Sequence, residues 1–339
     1  MKAVVLQRPG VLELVEQPEP GVIGPTDALV ATRRVGLCGT DYHAFAGDQN
    51  FFTYPRVLGH ELAVEVLEVG RDVSQVAPGD HCAVLPYSTC GRCFPCRRGR
   101  TNCCESLDLL GVTVDGGLRE RFVVPAAALF TCADADLDAL ALVETLGIGW
   151  HAVRRAEAAA GQLALVVGAG PVGLAVGLAL LRRGARVVIT DASEARLATA
   201  RTLLPVEALS AGDNMSARLA EHAAGERPSL VFDVTGNRHS MESSLALVAF
   251  SGSLVLVGHT TGRLMFDNPV LHRREITIIA SRNANADDWS QLLPLVASGE
   301  LDAAAWVGRR TTLELVPAQL GDWGRAAGAV LKSMVDVGG

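Results

Sequence analysis

The 339-residue chain reads as an α/β protein with a doubly wound parallel sheet, preceded by a region of short strands. Three observations predict this. From about residue 162, apolar runs of strand length alternate with runs of helical spacing. Gly168-Ala169-Gly170-Pro171-Val172-Gly173 stands between such a strand and such a helix. Before residue 150 the apolar runs are short and broken by Gly and Pro, as in Ala28–Val35, Leu62–Val69, His81–Leu85 and Leu118–Val124.

In chain order, Met1–Leu6 reads as a strand; it is too short and too soon polar for a signal peptide. Pro18, Pro20, Gly21, Gly24 and Pro25 mark loops. The first long helical pattern is Leu137–Arg155. Strands follow at Leu163–Val167, Val187–Thr190, Leu230–Val234, Leu254–Val257 and Ile276–Ala280. Helical patterns lie at Val172–Arg183, Glu194–Leu204, residues 215–224 and Ser240–Phe250. After Ser281 a helix at Asp287–Ser298 gives way to short strands. The boundaries expected are 1–150, 151–285 and a C-terminal segment, 286–339, that returns to the first domain.

The net charge of −7 gives no electrostatic support for binding nucleic acid or an anionic membrane, and no apolar run reaches membrane-spanning length. A cytoplasmic location is expected, and there eight cysteines serve as metal ligands or buried thiols rather than disulfides. Cys90, Cys93, Cys96 and Cys104 read C-x2-C-x2-C-x7-C, a spacing that can close a tetrahedral thiolate shell around zinc. The intervening residues offer almost no core, so the loop needs the metal. Cys103 is an alternative to Cys104 in that shell. Cys82 and Cys132, in apolar surroundings, read as buried.

The glycine fingerprint has a physical reason at each position. Gly168 permits the turn, Gly170 lets a pyrophosphate approach the backbone, and Gly173 lets helix and strand pack closely. The helix beginning at Pro171 and Val172 offers free N–H groups to phosphate. Asp191, about twenty residues further on, can accept both hydroxyls of an adenosine ribose and would repel a 2′-phosphate, which favours NAD over NADP. Arg196 either stacks on adenine or is a solvated helix arginine. Thr235, just past the strand Leu230–Val234, completes the cofactor-binding candidates.

Cys38, in Gly36-Leu37-Cys38-Gly39-Thr40-Asp41-Tyr42-His43, and His60, in Gly59-His60-Glu61, bring a thiolate, an imidazole and a carboxylate. Such a mixed shell suits a zinc that keeps one position open. With the cysteine loop and the fingerprint, in this order, the whole chain resembles the medium-chain, zinc-dependent alcohol dehydrogenase superfamily. Glu144, in Leu142-Val143-Glu144-Thr145-Leu146, stands where other members place a cysteine, as in the polyol, threonine and sugar-acid branch. That branch usually has Pro where this chain has Thr145. Residues 49–61 and Ser281-Arg282-Asn283-Ala284 resemble members that oxidise hexonates.

The resemblance implies a Rossmann domain and a mainly β, GroES-like catalytic domain with a structural-zinc lobe. It implies one catalytic and one structural zinc, NAD, and a homodimer or homotetramer. Cys38 and His60 are then catalytic-zinc ligands, and Glu61 and Glu144 are alternatives for a third. Asp41 holds the outer nitrogen of an imidazole. Thr40 takes the proton of the alcohol and passes it through the nicotinamide ribose to His43, unless Thr40 merely caps a helix and His43 is a surface residue. Arg56, Arg282 and Asn283 are candidates for a substrate carboxylate, and Lys332 for the cofactor phosphates. The function implied is hydride transfer from a secondary alcohol, a polyol or sugar acid, to NAD. A threonine-type amino-alcohol dehydrogenase and a non-catalytic NAD- and zinc-binding regulator are the alternatives.

Overall fold

The computed structural model describes residues 1–49, 52–132, 135–212, 214–223, 225–326, 328 and 330–338. The chain forms two compact units, one of Met1–Glu144 with Asn285–Gly339, the other of Thr145–Ala284.

The second unit holds a six-stranded parallel sheet. Its order is Glu207–Ser210, Arg186–Asp191, Leu163–Val167, Leu230–Asp233, Ser253–Leu256, Thr277–Ala280. Leu163–Val167 is apolar throughout because it lies inside the sheet with parallel neighbours on both sides and is almost wholly buried. The helix Pro171–Arg182 starts with Pro at its first position, where no N–H is needed, and buries Leu174, Val176 and Leu180. Leu165, Val188, Val231 and Leu254 carry the core of the unit.

The first unit is built on a seven-stranded sheet in which Asp27–Leu37 lies between Glu61–Val69 and Lys332–Asp336. Both neighbours run antiparallel to it, with Gly36 opposite Glu61 and Leu37 opposite Ser333. The last strand therefore comes from the C-terminal segment. Val4, Leu6, Val30, Val35, Leu62, Val64, Phe122 and Val335 form the core.

Several elements differ from the expectation. A helix, Gly39–Ala46, precedes residue 137; it buries only Asp41 and Ala44, so it shows no apolar stripe. The expected helix Ser240–Phe250 is a short helix, Arg238–Ser243, followed by one 3-10 turn, Ser244–Leu247. Asn237 starts it early because its side chain caps Ser240 N. The C-terminal segment contains the helix Val316–Arg325 rather than strands alone; Pro317 sits at its start, and Val316 and Leu320 face the core. The strand Glu207–Ser210 is too short to show a period. Residue 224, the end of an expected helix, lies outside the described residues.

Candidate functional site

All eight cofactor-binding candidates line one cavity of about 500 Å³ in the second unit: Gly168, Gly170, Pro171, Val172, Gly173, Asp191, Arg196 and Thr235. A Cβ on Gly173 would lie 1.8 Å from the Gly168 carbonyl oxygen, so helix and turn can meet only there without a side chain. A Cβ on Gly170 would meet nothing within 4 Å, which leaves that backbone approachable. Asp191 is nearly buried. Its Oδ2 accepts from Ala169 N at 2.8 Å and its Oδ1 from Ser193 N at 2.8 Å. The carboxylate thus ties the end of its strand to the glycine turn. Arg196 Nη1 lies 3.6 Å from Asp191 Oδ2, at the same edge of the cavity.

In the first unit the four loop cysteines bring their sulfurs within 4.8 Å of one another. All eight cysteines are free. The backbone N–H groups of Arg92 and Cys93 hold the Cys90 thiol down to about 6, while burial and its neighbours Cys93 and Cys104 push Cys96 up to about 12. Cys104 is buried and accepts from Cys90 N at 3.3 Å; Cys103 is exposed and lies outside the cluster. Cys82 and Cys132 are buried.

A second cluster is assembled from distant segments. Cys38 caps the helix Gly39–Ala46: its sulfur accepts from Thr40 N at 3.2 Å, and Asp41 accepts from Cys38 N at 2.9 Å. His60 directly precedes the strand Glu61–Val69, and its Nε2 lies 3.1 Å from Cys38 Sγ. One ligand atom each from His60, Glu61 and Glu144 falls within 4.8 Å. Glu144 projects from the middle of the unbroken helix Leu137–Arg155, which Thr145 continues where a proline would interrupt its hydrogen bonding.

The surroundings of this cluster were not foreseen. Tyr87 donates its hydroxyl to Glu144 Oε1 at 2.6 Å. Lys332 is buried and donates to both oxygens of Glu61, at 2.6 and 2.8 Å. That placement gives Lys332 a carboxylate partner in place of the expected phosphates. Topology explains it. Glu61 and Lys332 sit on the two strands flanking Gly36, and a Cβ on Gly36 would lie 2.1 Å from Glu61 Oε2. The missing side chain is the gap across which they meet.

Burial and neighbouring charge compete over the titration of these groups. Burial works against a charged His60, yet Cys38, Asp41 and Glu144 outweigh it and set the imidazole well above its ordinary range. Burial likewise works against the Lys332 ammonium, and Glu61 and Cys38 outweigh it. Burial raises Glu144 and Asp41 despite the nearby imidazole. Tyr87 is raised well above its usual range by burial and then by Glu144. The pocket gathers acidic groups and is short of positive charge. A divalent cation would supply it, and thiolate, imidazole and carboxylate are donors that suit zinc. His60 Nδ1 is buried without a hydrogen-bond partner, 3.9 Å from Asp41 Oδ1, so Nε2 is the nitrogen turned toward Cys38.

Thr40 and His43 lie three residues apart on the Cys38 helix. His43 is exposed, with Nδ1 2.9 Å from Asp48 Oδ1. Arg56 bonds Thr53 Oγ1 at 2.8 Å and Asp115 Oδ1 at 3.3 Å, so part of its guanidinium is already engaged. Asn283 adopts a left-handed φ of 54° and belongs to the second unit. Asn50 and Phe51, within the hexonate-like segment, lie outside the described residues.

A parallel-sheet unit with a glycine-turn cavity, and a β-rich unit with a cysteine–histidine–carboxylate cluster, define a metal-dependent dinucleotide oxidoreductase. The family described as "Alcohol dehydrogenase GroES-like domain" matches residues 24–134, and "Zinc-binding dehydrogenase" matches residues 171–298. L-galactonate-5-dehydrogenase of Escherichia coli is 40% identical over 305 residues, covering 89% of each chain. L-idonate 5-dehydrogenase of Vitis vinifera is 32% identical, covering 86% of this chain and 82% of its own. Among solved structures, the alcohol dehydrogenase TADH from Thermus sp. ATN1 superposes with a TM-score of 0.91 at 26% identity, covering 100% of both chains. The chain belongs to the medium-chain, zinc-dependent alcohol dehydrogenases, in their polyol and sugar-acid branch.

Proposed function

We infer that the chain oxidises a secondary alcohol of a polyol or sugar acid, such as a hexonate, with NAD as acceptor. The observation that carries this reading is buried His60, which meets Cys38 in one group of donors and Glu144 in another. Cys38 and His60 hold a catalytic zinc. Glu144 is the third ligand, because the Glu61 carboxylate is already paired with the Lys332 ammonium, whereas Glu144 has one oxygen on the neutral Tyr87 hydroxyl and its charge left for a metal. Cys90, Cys93, Cys96 and Cys104 hold a structural zinc. When bound, the catalytic metal supplies Lewis acidity that lowers the pKa of a hydroxyl, and NAD supplies the hydride acceptor.

The protein's own residues do the rest. Asp41, anchored by Cys38 N and Gly59 N, faces the His60 ring and limits its rotation. Tyr87 fixes one oxygen of Glu144 and leaves the other to the metal. Thr40 would accept the alcohol proton as it passes its own hydroxyl proton onward, and His43, exposed in the last turn of the same helix, would release a proton to water at the end of that relay. Asp191 accepts the hydroxyls of the adenosine ribose. No helix of the described residues is long and apolar enough to cross a membrane, and a cytoplasmic homodimer or homotetramer is part of this reading.

The test is NADH formation across hexonates, polyols and amino alcohols. A sugar acid or polyol should be turned over best. Preference for a threonine-like amino alcohol would displace the substrate assignment. Tight NAD and zinc binding with no turnover of any alcohol would instead identify a regulator.

A further inference from the structure

Asp233 ends the strand Leu230–Asp233, is fully buried, and lies in neither donor cluster. Its Oδ1 accepts from Thr235 N at 3.0 Å and from the Thr235 hydroxyl at 2.6 Å. Its Oδ2 accepts from the hydroxyls of Ser240 at 2.6 Å and Ser244 at 2.8 Å. Among the described residues no cation pairs with it. Three neutral hydroxyls and one amide satisfy this carboxylate, and two of those hydroxyl residues, Thr235 and Ser240, line the 500 Å³ cavity.

A hydroxyl carries one proton and two lone pairs. Once that proton is given to Asp233, the hydroxyl can only accept from anything else. Thr235 Oγ1 already accepts from Asn237 N at 3.0 Å. Ser240 Oγ makes no second protein hydrogen bond among the described residues, and Ser240 also borders an adjoining hollow of about 510 Å³. The wall it offers a ligand is therefore an acceptor backed by a buried carboxylate. Phosphate is unsuited to it. In the nucleotide-binding reading, on which this step rests, the glycine turn takes the pyrophosphate and Asp191 the ribose. The base then falls among Ala192, Ala211, Thr235 and Ser240.

We propose that Asp233, acting through Ser240, makes this end of the cavity acceptor-only and thereby selects adenine by its exocyclic amine. Hypoxanthine, which carries an acceptor oxygen at the same 6-position, meets lone pair against lone pair and is disfavoured. Ser240 is the specificity-determining contact, and Asp233 is the positioning residue that orients its proton away from the ligand.

The test is calorimetric titration of the full chain with NAD and with nicotinamide hypoxanthine dinucleotide. The unaltered chain should favour NAD about tenfold, the size of one hydrogen bond gained against one mismatched. Ser240→Ala should weaken NAD and bring the ratio toward one. Asp233→Asn, whose amide can donate to Ser240 and free its proton, should strengthen the hypoxanthine form relative to NAD. A ratio of one in the unaltered chain, or equal weakening of both dinucleotides by Ser240→Ala, overturns the proposal. If Asp233→Asn does not fold, the Ser240→Ala ratio decides. Binding of neither dinucleotide by the unaltered chain would remove the nucleotide-binding reading itself, and this proposal with it.

Discussion

The two donor clusters of the first unit are built in opposite ways. The cysteine lobe takes all its donors from residues 90–104, a stretch held by turns and two short helical turns. The buried cluster takes Cys38 from a helix N-terminus, His60 and Glu61 from the start of a strand, and Glu144 from the middle of a long helix. A core surrounds the second cluster whether or not a metal binds; little but metal could hold the first. In this account the lobe's metal stabilises the fold, and the buried metal serves the reaction.

Crossed substitutions separate the two roles. His60→Ala should lower turnover by about 10³-fold or more, since it removes a ligand of a metal supplying several kcal/mol at the transition state. The thermal midpoint should fall less than that of Cys104→Ser, although loss of a buried imidazole beside Asp41 and Glu144 carries a cost. Cys104→Ser should do the reverse, with a large loss of thermal stability measured by circular dichroism. Equal effects on both readouts in both variants would erase the distinction.

The buried cluster still owes something to its packing. Lys332→Met leaves the Glu61 carboxylate buried without its cation, a loss of about 3–5 kcal/mol. For a chain of 339 residues that corresponds to a drop of roughly 4–7 °C in the thermal midpoint, read by calorimetry. An unchanged midpoint would mean that another group takes the place of the ammonium.

Asp191→Ala should raise the Kd for NAD about 10- to 100-fold, the worth of a charge-assisted pair of hydrogen bonds, and narrow the gap to NADP. Fluorescence titration of both cofactors checks it. The smallest effect concerns pH. Cys90 is held near 6 in the folded lobe against an ordinary value of 9.0. Its contribution is complete above about pH 9 and is lost as pH falls through about 6. Metal capture by a chromogenic chelator should accelerate at the lobe as pH falls, since protons compete with the metal for its thiolates. Release that is flat from pH 8 to 5 would contradict it.

Local spacing explains how much was legible beforehand. The cysteine lobe and the glycine turn are written in consecutive residues, so their chemistry and placement follow from spacing and flanking periodicity. Leu137–Arg155 and Leu163–Val167 were readable because they are long or wholly apolar. The helix Gly39–Ala46 was not, since it is capped by an unusual residue and buries almost nothing. Lys332 with Glu61, across Gly36, was invisible because only strand order brings residues 271 positions apart into contact. Tyr87 with Glu144 and Asp233 with its hydroxyls depend likewise on packing. A buried lysine has no sequence period to announce it.

Elemental analysis of the purified chain beside its Cys38→Ser variant tells the two metal sites apart. The account predicts two zinc ions per chain in the parent and one in the variant, with the variant folded and its lobe loaded. Two zinc ions in both, or a single ion in the parent that survives Cys38→Ser, would contradict it.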